Sequence, residues 1–209
     1  QNGNQVARPA NKPLLAIYGV MSYLIGFSGL MALILTMAGL LPMASWVVLT
    51  NNSAVAVVIN ILLTGLFGLQ HSVMARLFFK QAFQRWFGQA SERSTFVWTS
   101  GATLLLVLAL WQPVAGVVWA AETTSGLAVM WSLFLLGWTY LFAATFAINH
   151  FDLFGLRQIW FVIMDRPYEP TVFKENWMYR YSRHPIMLGV LIGLWCVPEM
   201  TASKLVLTL

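Results

Sequence analysis

Arg183-His184-Pro185, reached through Tyr179-Arg180-Tyr181-Ser182 and followed by Gly189, sets two guanidiniums, an imidazole and two phenols at the mouth of an uncharged apolar run. Proline has no backbone N–H to donate and suits the first turn of a helix, so Ile186 to Val197 is expected to form a helix with Arg183 and His184 at its entrance. The positive end of that helix favours a bound anion. An imidazole there can move a proton near neutral pH, and a guanidinium can grip a carboxylate at two points in a way lysine cannot copy.

These groups need a scaffold, and the composition says which kind. The chain has 209 residues, 59% of them hydrophobic and 9% charged, with a mean hydropathy of +0.71. That exceeds what a water-soluble domain of this size needs to fill its core, so an integral membrane protein is expected. No Asp, Glu, Lys or Arg falls between Lys12 and Arg76, between Arg93 and Glu122, or between Glu122 and Asp152. A spanning helix needs about 20 consecutive, predominantly apolar residues.

The expected fold class is therefore all-α, a polytopic membrane helix bundle of about five spans: residues 13–41, 54–79, 94–111, 125–150 and 184–197. Pro42, Asn51-Asn52-Ser53, Pro113 and Pro198 supply the breaks on one side. Leu153 to Met164, apolar but for Arg157 and Gln158, is too short to span and reads as an interfacial helix. Met200 to Leu209 reads as the start of a truncated further span. A single domain, 1–209, is expected, with no internal repeat. Leu14 to Leu41 is too long for the apolar core of a cleaved signal and should stay as the first span.

The net charge of +5 and pI near 9.7 do not point to nucleic acid, because the basic residues are spread over short connections. They do fall on one side. Arg8 and Lys12, the Arg76 to Arg93 connection and the Asp152 to Arg183 segment (Arg157, Arg166, Lys174, Arg180, Arg183) carry them, against Lys204 alone on the other. By the positive-inside rule the N-terminus and these segments face the cytoplasm. Trp46, Trp111 and Trp119 near one interface, and Trp86, Trp160 and Trp177 near the other, fit aromatic belts. Cys196 is the sole cysteine, so no intrachain disulfide forms.

With this topology His71, His150 and His184, the only three histidines, come to the same membrane face. Ionisable side chains at membrane depth are costly and tend to face the bundle interior or a wet cavity, so three together point to function. Gln70, Asn149, Asp152, Arg157, Gln158 and Arg183 add polar groups at similar depth. A lone interfacial histidine often just hydrogen-bonds to a carbonyl, and juxtamembrane arginines often anchor to headgroups. That reading weighs more on His71 and Arg180 than on His184 and Arg183.

The run Tyr179 to Gly189 resembles the signature of the isoprenylcysteine carboxyl methyltransferase superfamily of membrane methyltransferases. Gln70-His71-Ser72-Val73-Met74-Ala75-Arg76, Glu92-Arg93-Ser94-Thr95, the segment His150 to Gln158, and Trp195 with Pro198-Glu199-Met200-Thr201 resemble its methanethiol S-methyltransferase branch. Together these cover most of residues 70 to 201. Trp177-Met178 stands where many members carry Gly-Pro, and Met187 where prenylcysteine enzymes commonly have tyrosine. Relatives continue into a further membrane helix and an acidic C-terminal motif that this chain lacks.

The resemblance implies a thiol S-methyltransferase with S-adenosylmethionine as methyl donor, a small thiol, methanethiol, as acceptor and dimethyl sulfide as product. A small alkyl thiol is about as acidic as cysteine, with a pKa of about 8.5, so it needs a base near neutral pH. His184 or His71 is expected to be that base. Arg183 or Arg157 is expected to pair with the donor's carboxylate, and Tyr179 and Tyr181 to offer ring faces to adenine or sulfonium. His150, Pro185 and Gly189 complete the expected cofactor contacts. No metal is expected. Two alternatives stay open: carboxyl O-methylation of a prenylcysteine, and a haem or metal module ligated by the three histidines.

Overall fold

Side-chain caps set where the long helices begin. Asn11 Oδ1 accepts from Leu14 N at 3.1 Å, with Pro13 in the first turn. Asn52 Oδ1 accepts from Ala54 N and Val55 N, and Thr123 Oγ1 from Gly126 N. Each satisfies a donor that the first turn of a helix otherwise leaves open. The structure, a computed structural model, describes residues 11–43, 47–171 and 177–209. Arg8, Trp46 and Lys174 lie outside the described residues, as does the Trp177 side chain.

In chain order the elements are α1 (Lys12–Met37), α2 (Ser53–Ala75), α3 (Leu77–Phe87), α4 (Gln89–Ala109), β1 (Val117–Ala120), α5 (Thr124–Ile148), α6 (His150–Leu153), α7 (Leu156–Ile163), α8 (Trp177–Tyr181), α9 (Pro185–Trp195), β2 (Glu199–Thr201) and α10 (Ala202–Thr208). Among the described residues three helices, α1, α2 and α5, are long and apolar enough to cross a membrane. The expected second span stops earlier than its sequence suggests. Arg76 takes an extended conformation (φ −74°, ψ 147°), and the chain restarts as the separate amphipathic helix α3. The run expected as a fifth span is a helix of 11 residues, about 16 Å long by helical rise against roughly 30 Å of hydrocarbon. The expected interfacial segment contains α7, whose Ile159 packs against Gly19 of α1.

The expected all-helical class misses one feature. β1 and β2 pair antiparallel, with Val117 opposite Thr201 and Ala120 opposite Glu199. Pro113 and Pro198 end the adjoining apolar runs, and Val117, Val118 and Trp119 favour extended backbone.

Glycines let the helices approach. A Cβ on Gly29 of α1 would stand 2.8 Å from the Gly101 carbonyl oxygen of α4, and Tyr18 hydrogen-bonds to Thr95, so α1 and α4 run parallel. α2 runs antiparallel to α4: Asn60 meets Gln112 and His71 meets Ser100. Residues of α5 meet α9 in reverse order, Gly137 against Gly193 and Leu141 against Gly189. Tyr23 and Phe27 of α1 meet His150 and Phe142, which aligns α5 with the same axis. The resulting row is α2, α4, α1, α5, α9, and α10 returns from β2 to pack on α2. The main core, Met37, Phe134, Trp138, Leu141, Val197 and Met200, fills the half nearer the strands. The starts of α1, α4 and α9 and the ends of α2 and α5 therefore share the other end of the bundle.

Candidate active site

At the entrance to α9 no side-chain cap is found among the described residues. Pro185 occupies the helix's first position, His184 flanks it (φ −133°, ψ 63°), and its first turn holds no acidic residue. The His184 backbone N–H donates to Ser182 Oγ at 3.3 Å. Arg183 and His184 are exposed, and Tyr181 is 85% exposed. Arg183 forms no ion pair among the described residues. Burial, with the neighbouring Tyr140, pushes the Tyr179 phenol above its usual range. The entrance thus offers open N–H donors, a positive dipole end and an exposed guanidinium, which suits a carboxylate.

Two of the expected cofactor contacts point elsewhere. Pro185 and Gly189 are buried, and a Cβ on Gly189 would lie 2.8 Å from the Gly137 carbonyl oxygen. That glycine serves the contact between α9 and α5.

His150 is also occupied. It is 3% exposed, with Nε2 3.1 Å from the Tyr23 hydroxyl and Nδ1 2.9 Å from Thr145 Oγ1. Its ring stacks between Phe146 and Phe154 at 4.4 and 4.5 Å. Burial lowers its pKa, so the imidazole is held neutral. Both nitrogens are engaged in joining α1, α5 and α6.

Arg157 belongs to a second cluster, built around Asp152. Asp152 Oδ1 accepts from the Tyr168 hydroxyl at 2.8 Å and from Arg157 Nη1 at 3.5 Å, and Oδ2 accepts from Thr171 at 3.1 Å. Gln158 Nε2 donates to the Asp152 carbonyl. The Arg157 guanidinium lies 5.0 Å from the Phe161 ring centre and 5.8 Å from that of Tyr168. Burial and the carboxylate push the Tyr168 phenol up to about 12. Arg93 joins from α4, donating to the Leu153 carbonyl at 2.6 Å. Sequence reasoning placed Asp152, Gln158 and Arg157 at this depth but missed Tyr168, Thr171 and the structural use of Arg93. The run Arg166-Pro167-Tyr168-Glu169-Pro170, an aromatic residue flanked by charges and prolines, was the available signal.

His71 stands apart, on α2. Its Nδ1 is 3.1 Å from Ser100 Oγ of α4, its ring lies between Phe67 and Phe96, and the residue is exposed. The three histidines thus share one end of the bundle but sit in three different helix contacts: α2 with α4, α1 with α5, and the start of α9. Among the described residues no three His, Cys, Asp or Glu side chains form a metal-ligating group.

Methanethiol S-methyltransferase 1 of Bradyrhizobium diazoefficiens is 37% identical over 190 residues, 90% of this chain and 67% of the relative. The chain belongs to the methanethiol S-methyltransferase family of membrane methyltransferases. Methanethiol S-methyltransferase of Mycobacterium tuberculosis is 43% identical over 150 residues, 72% of this chain and 62% of the relative. Nurim of Bos taurus is 29% identical over 153 residues, 69% of this chain and 58% of the relative. The chain spans about three fifths of the length of several of these relatives. No family model and no solved structure matches it.

Proposed function

We propose that the chain catalyses S-adenosylmethionine-dependent S-methylation of a small thiol, converting methanethiol to dimethyl sulfide. Membership of the family supports the reaction class. The observation that carries the site is the α9 entrance, where Arg183 stands beside the helix start, with neither an ion pair nor a side-chain cap found among the described residues. These groups fit a donor that bears a carboxylate. Arg157 is less suited, because Asp152 and two rings already engage it.

S-Adenosylmethionine, when bound, supplies an electrophilic methyl group on sulfur. Arg183 and the first N–H groups of α9 orient its carboxylate, and the exposed ring of Tyr181 offers a face to adenine or sulfonium. The protein's remaining task is to hold the thiol in line and take its proton on an imidazole. His184 and His71 suit that role, since His150 has both nitrogens occupied.

The bundle is proposed to cross the bilayer with the N-terminus and this end on the cytoplasmic side. Lys12, Arg93, Arg157 and Arg183 gather at that end and Lys204 at the other, which supports the orientation. A methanethiol molecule dissolves in lipid while the charged donor arrives from the cytosol, so a site at this edge serves both.

The test supplies methanethiol and a prenylcysteine side by side, with methyl-labelled donor, to the full-length protein in membranes. Label in dimethyl sulfide supports the reading. Label in a methyl ester, or in neither, overturns it. His184→Ala is expected to lose transfer while the protein stays folded, and unchanged turnover would remove His184 from the site.

A further inference from the structure

No residue of α3 is buried, although the helix joins α2 to α4. Its sequence is nonetheless sharply divided. At about 3.6 residues per turn, Phe78, Phe79, Ala82, Phe83, Trp86 and Phe87 fall on one half of the helix. Lys80, Gln81, Gln84 and Arg85 fall on the other, with Leu77 of the first turn among them. The rings of Phe79, Phe83 and Phe87 stack along the apolar half at 6.3 and 4.7 Å, and Phe79 and Phe83 are half-buried. The rest of that half is open: Phe78 is 66% exposed and Trp86 83%.

The helix also stands at a definite depth. Tyr18 meets Thr95, and Lys12 precedes Tyr18 by as many residues as Gln89 precedes Thr95, so α1 and α4 begin at one level. α2 stops short of it. From the pair His71 and Ser100, α2 runs on only to Ala75, about 6 Å, whereas α4 reaches back to Gln89, about 16 Å. α3 fills this step, the outer ~10 Å of the bundle, after the extended backbone of Arg76 ends the charge-free helix α2. An amphipathic helix lying in a bilayer surface sinks its apolar half about 5–10 Å into the headgroup boundary, which is the same depth. The charge is one-sided as well. Arg76, Lys80 and Arg85 meet no acidic residue between Ser53 and Ala90, and the next carboxylate, Glu92, accepts from Gln84 at 3.3 Å. Arg76 and Arg85 are exposed and form no ion pair among the described residues.

We propose that α3 is an in-plane anchor that gathers anionic phospholipids from the leaflet at the end of the bundle that carries the α9 entrance. Phe78 and Trp86 enter the boundary between headgroups and acyl chains, where an indole is at home. Arg76 and Arg85 take headgroup phosphates, each guanidinium gripping two oxygens. A zwitterionic headgroup balances its phosphate with its own cation, so the surplus positive charge of this segment selects lipids with a net negative charge. The depth of the open apolar half favours lipid over a protein partner, since Phe78 and Trp86 stand level with the last turn of a membrane-capable helix and the start of another. The inference rests on the bundle crossing a bilayer and is independent of methyl transfer.

The experiment uses the full-length protein in vesicles of phosphatidylcholine with a minority of phosphatidylglycerol. Because the chain holds 10 tryptophans, the Trp86 signal is read as the parent's fluorescence minus that of Trp86→Phe, or of Trp86→Tyr if the first variant fails to accumulate. That signal is expected to be quenched more by lipid brominated near the headgroup end of its acyl chains than by lipid brominated near their tips. It should also transfer energy preferentially to dansyl-labelled phosphatidylglycerol over dansyl-labelled phosphatidylcholine. Arg76→Gln and Arg85→Gln should each lower the relative affinity for the anionic lipid about fivefold, whereas Arg166→Gln, which removes the same charge from an exposed site elsewhere, should leave it unchanged. A Trp86 signal that neither brominated lipid reaches, as when a second copy of the chain covers it, overturns the proposal. Equal transfer to the two labelled lipids overturns it too, as does a loss in Arg166→Gln equal to that in Arg85→Gln, which would assign the effect to net charge alone. Methyl transfer enters none of these readings, so their failure leaves the proposed reaction untouched.

Discussion

Gly189 of α9 and Gly137 of α5 touch backbone to backbone: a Cβ on Gly189 would come within 2.8 Å of the Gly137 carbonyl oxygen and of the Leu141 nitrogen. Rigid backbone cannot yield as a side-chain tip can. Gly189→Ala should therefore push the helices apart, costing about 1–3 kcal/mol as overpacking does. Thermal unfolding in detergent measures the loss. Donor affinity of the protein that remains folded should be unchanged, and a selective loss of binding at normal stability would restore Gly189 as a cofactor contact.

His150 ties α5 to α1 through two hydrogen bonds and two stacked rings. Truncating it opens a cavity and leaves the Tyr23 and Thr145 hydroxyls short of a partner, so His150→Ala should cost about 3 kcal/mol. The pH dependence has a definite sign. Burial lowers the pKa of His150 in the folded state, so below about 6.5 the unfolded chain takes up a proton that the folded one refuses. Stability should fall as pH drops through that range. His150→Gln should show a shallower fall, read from melting temperature against pH.

Asp152 gathers Tyr168, Thr171 and Arg157 onto α6. Removing one donor to a carboxylate costs about 1.5–3 kcal/mol, so Tyr168→Phe should be milder than Asp152→Ala, which releases all three. The two changes should not add, because they share a bond. With its phenol pushed up to about 12, Tyr168 keeps its proton in the folded state where the unfolded chain begins to lose it, near pH 10. Its contribution to stability is complete below about pH 10 and declines as pH rises toward about 12. Ultraviolet titration of the folded protein should lose a late-titrating tyrosine in Tyr168→Phe, while Tyr179, also pushed up, stays late.

The apolar runs made the long helices legible, because a charge-free stretch of 20 or more residues has few other uses. Pro185 likewise announced the start of α9, and the opposed runs of the helices bring His71, His150 and His184 to one end of the bundle. Hydropathy could not show that Arg76 would break α2 from α3, since apolar residues continue past it to Phe79. Nor could it tell His150, with both nitrogens engaged, from His184, which has no side-chain hydrogen bond among the described residues. That difference comes from Tyr23, more than a hundred residues away. The packing of Gly189 against the Gly137 backbone was hidden for a related reason: a glycine beside a reactive motif does not announce which helix it will meet.

Asn60 and Gln112 join α2 to the end of α4 by a reciprocal pair: Asn60 Nδ2 donates to the Gln112 carbonyl at 2.7 Å, and Gln112 N–H donates to Asn60 Oδ1 at 2.8 Å. Both residues are fully buried. The Gln112 side chain continues the network, accepting from Leu49 N and donating to the Val47 and Leu110 carbonyls. Asn60→Leu would fill the space yet strand two backbone groups, each costing about 1–3 kcal/mol when buried unpaired. Because this pair fastens α2 to α4 at the end remote from His71, its loss should loosen the first half of α2. Hydrogen exchange of the turn from Ile61 to Thr64 measures that loosening directly. Asn60→Asp, which keeps the acceptor for the Gln112 N–H, should protect the turn better than Asn60→Leu, and equal exchange in the two variants would show that the pair does not hold the helix.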